Sequence, residues 1–182
     1  MKKILFIILL LQNSAIFSQK YYWDNVLEIN GNFPFNNLSG KVICIDKTDN
    51  KILVSSFVNT ISINNINLST DSNGIFLLKT SKDDSILWLK KIVESNTQNI
   101  GVPNLTIDIY NNIYFSIGFS DSILFDNTIY KANVSIDVIL VKLDSNGNVL
   151  FKKQFIGSNN EFISLNEHSH LKFSIELIAS FK

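Results

Sequence analysis

Asp137 to Phe155, DVILVKLDSNGNVLFKKQF, is the stretch from which the rest of the chain can be read. Val138 to Val141 is a continuous apolar run of the kind buried on both faces. The cluster Asp144-Ser145-Asn146-Gly147-Asn148 then supplies turn residues and a glycine that tolerates positive φ. On the return strand Val149, Phe151 and Phe155 alternate with Leu150, Lys152 and Gln154, which predicts one packed face and one wet face. The stretch is a hairpin of two strands.

Parts of this hairpin recur. Tyr22-Trp23, Leu87-Trp88 and Leu150-Phe151 are spaced by 65 and 63 residues, and the segments between them align without large gaps. Ile43 to Asp46, an Asp49-Asn50 turn and Ile52 to Ser55 match Leu105 to Asp108, Asn111-Asn112 and Ile113 to Ser116. A miniature hairpin follows in each copy, at Ile61 to Asn65 and at Ile123 to Asn127, each with a two-residue Asx turn. Phe76 to Lys79 then matches Ile139 to Lys142, and Ile86, Trp88 and Ile92 match Val149, Phe151 and Phe155 on the inward face. Each copy supplies four main strands plus a small hairpin.

A lone four-stranded sheet cannot bury both faces, so copies must stack. The predicted fold is all-β: a β-propeller-like stack of about two and a half four-stranded antiparallel blades, not closed, because a closed ring takes 4–8 blades. A β-sandwich is the other arrangement for such strands, but it needs no internal period. The expected segments are a signal peptide over 1–18, an N-terminal strand segment over 19–40, a first repeat over 41–100, a second over 101–160, and a degenerate partial third over 161–182. Two departures from the repeat stand out. Gly74 occupies the place of Asp137, and the third copy, Phe162 to Phe181, is degenerate.

Met1 to Ser18 carries Lys2 and Lys3, an apolar core from Ile4 to Leu11, and small residues at Ser14, Ala15 and Ser18. This is the pattern of a secretory signal, with cleavage expected after Ser18 or, alternatively, after Ala15; the core is far shorter than a membrane-spanning helix requires. Removing Lys2 and Lys3 lowers the 16 basic side chains to 14 against 16 acidic ones, a net charge of −2, with no arginine anywhere. Nucleic acid is therefore an unsuitable partner. The pairs Lys90-Lys91 and Lys152-Lys153 read as solvated strand ends at equivalent repeat positions. Cys44 is the only cysteine, so no internal disulfide forms, and its β-branched context Val42-Ile43-Cys44-Ile45 reads as a buried strand with an inert thiol.

The matched segments resemble the SBBP-type (seven-bladed β-propeller) repeat proteins exported by Bacteroidota. The resemblance rests on Ile107-Asp108, Asn112-Ile113-Tyr114, Ile123-Leu124-Phe125 and Lys142-Leu143-Asp144-Ser145-Asn146-Gly147-Asn148, in that order. The first copy matches more loosely through Ile45-Asp46, Lys51-Ile52-Leu53 and Lys79. It covers nearly the whole mature chain and implies a propeller fold. It implies no shared active site, and it suggests a partial or truncated member.

Candidates for chemistry divide by one criterion: a residue that recurs in register serves the blade, and a site-specific one departs from it. Asp46 and Asp108 recur, and are expected to make Asx-type contacts at strand ends. Asp144, Asn146 and Asn148 alternate as in a calcium loop, but the glycine falls at the fourth position and Phe155 stands where a bidentate glutamate belongs. His168 and His170 form an H-x-H pair that a strand would present on one face, as zinc requires. The pair aligns, however, with the Asn111-Asn112 turn, and further ligands would have to come from Glu161 or Glu167. The expected assignment is no catalytic residue, no cofactor and no metal. The aromatic residues Tyr21, Tyr22, Trp23, Phe33 and Phe35 could stack on a sugar, although the recurrence of Trp23 at Trp88 and Phe151 favours a packing role. The reading is a secreted, non-catalytic binding or adhesion scaffold for a protein or glycan ligand, able to need further blades or self-association. The alternative is a fragment of a propeller-type extracellular hydrolase or lyase acting on polysaccharide.

Overall fold

The computed structural model describes residues 29–32, 42–97, 100–101, 103–133, 135–156, 161–168 and 172–179, with side chains described within 42–156. The expected signal peptide, His170 and the aromatics Tyr21, Tyr22, Trp23, Phe33 and Phe35 lie outside these residues. The described chain is all-β, and its strands pair antiparallel throughout. In chain order they are β1 (Ile29–Asn32), β2 (Val42–Ile45), β3 (Lys51–Ile63), β4 (Ile66–Thr80), β5 (Ile86–Ser95), β6 (Asn104–Ile107), β7 (Ile113–Phe119), β8 (Ser122–Phe125), β9 (Thr128–Lys131), β10 (Asp137–Leu143), β11 (Val149–Phe155), β12 (Glu161–His168) and β13 (Lys172–Ala179).

Two four-stranded meanders form the body. In sheet one β2, β3, β4 and β5 are successive neighbours, and in sheet two β6, β7, β10 and β11 take the same places. The ladders superimpose in register. Leu53 faces Leu78 and Phe115 faces Val141; Lys79 faces Trp88 and Lys142 faces Phe151. Trp88 and Phe151 therefore occupy matching positions, 63 residues apart, as the period predicts.

Each sheet has a leading and a trailing face, and strand alternation assigns its residues between them. The leading face of sheet one carries Leu53, Phe57, Phe76 and Leu78; that of sheet two carries Phe115, Phe119, Ile139 and Val141. The trailing faces carry Ile52, Val54, Ile75 and Leu77 in sheet one, and Tyr114, Ser116, Val138 and Leu140 in sheet two. One buried cluster joins the trailing set of sheet one to the leading set of sheet two. The sheets thus stack head to tail, leading face on trailing face, in the manner of propeller blades and unlike a sandwich in which two equivalent faces meet. β12 continues the stack. It lies against β6, β7 and β10, where Tyr114, Ser116, Val138 and Leu140 are buried.

Several details differ from the sequence reading, each for a local reason. A bulge lies between Lys79 and Thr80 in sheet one and between Lys142 and Leu143 in sheet two, leaving Leu87 and Leu150 as the extra residues, both exposed. One inserted residue reverses the face of everything after it. Ile86 and Val149 are consequently not on the face of Trp88, Phe151 and Phe155. A second bulge at Ile92 places Val93, not Ile92, at the position of Phe155, since Val93 faces Ile75 as Phe155 faces Val138. The lysine pairs also slip by one: Lys90 matches Lys153, and Lys91 matches Gln154.

The miniature hairpins separate the two copies. In the first copy the hairpin is no separate element but the far end of β3 and β4, continuous through an irregularity between Val58 and Thr60. In the second the chain breaks at Ser120-Asp121, and β8–β9 leaves its own sheet to pair Phe125 with Val93 of β5. Both tips turn through two residues of positive φ, Asn64-Asn65 and Asp126-Asn127, as a type I′ turn demands. The first tip makes the equivalent outward pairing, Ile63 with Ile29 of β1.

Candidate functional site

The polar residues singled out by sequence cluster in hairpin turns of one design. Four five-residue turns, Asp46–Asn50, Ser81–Ser85, Asp108–Asn112 and Asp144–Asn148, join the second strand to the first or the fourth to the third of each sheet. In each, the first residue's N–H donates to the fifth residue's carbonyl at 2.8–2.9 Å, and the fourth residue's N–H donates back to the first carbonyl at 3.0 Å. The fourth residue has φ of 62°, 62°, 63° and 75° at Asp49, Asp84, Asn111 and Gly147. That is a type I turn followed by a left-handed residue, the usual three-residue hairpin loop. Asp, Asn and Gly stand there because they enter the left-handed region at least cost.

The first side chain caps the turn. Asp108 Oδ1 accepts from the N–H groups of Tyr110 and Asn112, both at 2.9 Å, while Oδ2 accepts from Asn112 Nδ2 at 2.8 Å. Asp144 does the same with Asn146 and Asn148, at 2.8, 2.8 and 2.9 Å. Ser81 replaces the carboxylate with its hydroxyl, accepting from Asp83 and Ser85 at 3.2 Å. The Asp144 carboxylate is thus turned toward amide donors, which is the reverse of what a calcium ion would need. Its pKa is lowered chiefly by the Asn148 N–H.

Asp46 adds an ion pair. Its Oδ1 accepts from Thr48 N at 2.9 Å, Thr48 Oγ1 at 2.7 Å and Asn50 N at 3.0 Å, and its Oδ2 lies 2.9 Å from Lys79 Nζ. Both partners are buried. Burial alone would raise this carboxyl's pKa, but the Lys79 ammonium and the Asn50 and Thr48 donors together hold it far below the usual carboxylate range. Asp108 and Lys142 repeat the pair more loosely, at 3.8 Å and more exposed, with the Tyr114 hydroxyl donating to Asp108 Oδ2 at 3.2 Å.

Lysines also join the sheets. Lys79 Nζ and Trp88 Nε1 donate to the Ser145 carbonyl at 3.2 and 3.3 Å, and Lys90 Nζ donates to the carbonyls of Asn146 and Gly147 at 2.8 and 2.9 Å. The turn of sheet two is thereby latched to the trailing face of sheet one. Lys91 Nζ donates to the Ser69 carbonyl at 2.6 Å, and Lys152 Nζ pairs with Asp126 at 2.7 Å. Lys90 and Lys152 therefore connect the sheets and Lys91 ties β5 to β4 within sheet one, whereas Lys153 is exposed, as expected from sequence. Cys44 also differs. Its thiol meets the Leu105 carbonyl at 3.4 Å, but its strand is only half-buried, through Val42 and Cys44 on the trailing side, with Ile43 and Ile45 exposed.

The residue that best satisfies the departure-from-register criterion is Asp137, which sequence analysis noted only as the counterpart of Gly74. It is fully buried; Oδ2 accepts from Gln154 Nε2 at 2.7 Å and from Asn133 N at 3.3 Å, and Oδ1 has no hydrogen-bond partner among the described residues. As the first residue of β10, opposite Phe119 and fully buried, it lacks the exposure a substrate would require. Among the described residues no group of three or more His, Cys, Asp and Glu side chains is placed to hold a metal. His168 closes β12 opposite Lys172, so it opens a hairpin loop at the place of Asp108, not at that of Asn111-Asn112. The structure brings together Asp46 with Lys79 and Asp108 with Lys142, and among the described residues these pairs are the contacts it makes between candidate carboxylates and lysines.

One exposed surface is built by the turns themselves. The Lys47 N–H donates to Asn111 Oδ1 at 3.2 Å, tying the Asp46–Asn50 turn to the Asp108–Asn112 turn. Beside this contact Tyr110 projects with 77% of its surface exposed. No protein-family model matches the chain, and no curated protein is similar to it.

Proposed function

We propose that the protein is a secreted, non-catalytic binding scaffold of the SBBP-repeat type, exported through the Met1–Ser18 signal, that holds a protein or glycan ligand on the rim formed by its aligned turns. The observation that carries this reading is the fate of the recurring carboxylates. Asp46, Asp108 and Asp144 each accept hydrogen bonds from their own turns, so their chemistry is spent on shaping loops. What the rim offers outward is Tyr110, an amphipathic aromatic suited to stacking on a sugar or packing on a peptide. Binding of the mature chain to glycan and extracellular-protein arrays tests the proposal. Tyr110→Ala is expected to weaken the captured interaction while leaving the melting temperature unchanged. Turnover of a polysaccharide by the wild-type chain would instead support the hydrolase or lyase reading.

A further inference from the structure

Where the two sheets meet, one hairpin turn is held by three side chains of the preceding sheet. Lys79 Nζ and Trp88 Nε1 converge on the Ser145 carbonyl, and Lys90 Nζ donates to those of Asn146 and Gly147. These three carbonyls are available because the turn's own bonds use only those of Asp144 and Asn148. Sheet two has the same three places on its trailing side: Lys142 opposite Phe151, and Lys153 opposite Leu140. There they stand open. The Lys142 side chain is 29% exposed where that of Lys79 is 6%, Phe151 is 48% exposed, and Lys153 is exposed, although β12 already lies against β6, β7 and β10. Among the described residues neither ammonium donates to a carbonyl. Lys142 Nζ lies 5.1 Å from the centre of the Tyr114 ring, and Lys153 Nζ 5.1 Å from that of Phe155.

We infer that Lys142, Phe151 and Lys153 form a second turn-binding site, which takes from a partner protein a hairpin turn built like Asp144–Asn148. The ligand chemistry is read from the filled site. Two ammonium groups donate charge-assisted hydrogen bonds to outward backbone carbonyls, and an aromatic ring lies beside them. Phe151 keeps the ring of Trp88 and loses its N–H, so the second site relies on its lysines. Lys142 would bridge Asp108 and a carbonyl of the partner, as Lys79 bridges Asp46 and Ser145, and the 3.8 Å pair would close. A neutral acceptor suits the site better than an anion, because Lys142 already faces Asp108 and Lys152 pairs with Asp126. A second copy of the chain is an unsuitable donor. Its Ser81–Ser85 turn has the right design, but β2 meets β6 in the first interface and β12 meets β6 in the second, so that copy's β2 would need the place of β12. The site is separate from Tyr110 and does not rest on the binding reading of the rim.

The probe is a cyclic peptide with the sequence of residues 143–149, titrated into isotope-labelled protein and followed by nuclear magnetic resonance. So small a contact binds in about the millimolar range, so the titration runs to about 10 mM. Saturable shifts are expected at Lys142, Phe151 and Lys153, and they should persist in Tyr110→Ala. Lys153→Met is expected to weaken binding at least about fivefold with an unchanged melting temperature, and Lys153→Arg to retain it. The same cycle with its glycine replaced by proline, which cannot take positive φ, is expected to shift none of the three. Absence of shifts with the first peptide, or equal binding of the proline cycle, would overturn the inference. So would inorganic phosphate shifting the three residues as the peptide does, which would make the place an anion site.

Discussion

In sheet one Phe57 faces Gly74 across the ladder; in sheet two Phe119 faces Asp137 at the same register. A Cβ on Gly74 would stand 2.6 Å from Phe57 Cε1 and 2.8 Å from Cζ, so the Phe57 ring lies over the glycine. There β3 and β4 run on together into one long hairpin. In sheet two the Asp137 carboxylate takes that space, binding Asn133 N and Gln154, and β7 stops at Phe119 while β8–β9 departs to the neighbouring sheet. The ion pairs differ in the same direction: Asp46–Lys79 is close and buried, Asp108–Lys142 long and partly exposed. A repeat can thus keep its strand places while changing what locks them, and the two copies should respond unequally to equivalent substitutions.

The largest inequality is expected at the ion pairs. Asp46→Ala leaves the Lys79 ammonium buried without its partner and should cost about 3–5 kcal/mol, whereas Asp108→Ala, whose lysine reaches water, should cost about 1–2 kcal/mol in urea unfolding. The pH dependence has a definite sign. Asp46 is depressed in the folded chain, so its contribution is complete above the unfolded value of about 3.9 and fades as pH falls toward the folded pKa. Acid titration of Asp46→Asn should lack that part of the loss below about pH 4.

Gly74→Ala should come next, at about 1–3 kcal/mol, because the added methyl meets a fully buried ring. Combining it with Phe57→Leu should be less damaging than the sum of the two, measured as a double-mutant cycle. An additive result would mean that the ring does not lie over the glycine. Lys90→Met removes two charge-assisted bonds from the latch between the sheets, and about 1 kcal/mol is expected, given that the lysine is partly exposed. The smallest effect concerns the turns: Asp49→Gly should be neutral or stabilise by a few tenths of a kcal/mol, whereas Gly147→Ala should destabilise by about 1 kcal/mol. Equal responses at the two sites would argue against a shared turn geometry.

The period and the turns were legible in the sequence because each rests on local chemistry. Asp at the start of a loop and Asn, Asp or Gly at its fourth position fit a capped type I turn, so the sequence places Asp46 and Asp108 at strand ends and Asp144 in a turn, as the hydrogen bonds of all three show. The bulges were not legible. Leu87 and Leu150 are apolar residues between apolar neighbours, and nothing in their identity marks them as inserted, so alternation counted through them assigned Ile86 and Val149 to the wrong face. Long-range pairing was equally hidden: Ile123 to Asn127 reads as a hairpin from its turn, but its docking on β5 depends on an edge thirty residues earlier in the chain. Burial of Cys44's strand was overestimated because a β-branched run signals strand, while its covering on one side or two depends on the neighbouring layer. Asp137 was visible as a departure from Gly74, and its burial arises only once Phe119, Asn133 and Gln154 meet.

The central claim is the head-to-tail stacking of the two sheets, and nuclear Overhauser contacts in the protein test it most directly. The account predicts contacts from the Val54 and Leu77 methyls to the Phe115 and Ile139 side chains, together with contacts from the Trp88 indole N–H to Ser145 and Asn146. Contacts from Phe115 and Ile139 to Leu53, Phe57 and Phe76 would instead place two leading faces together, as in a sandwich, and would contradict it.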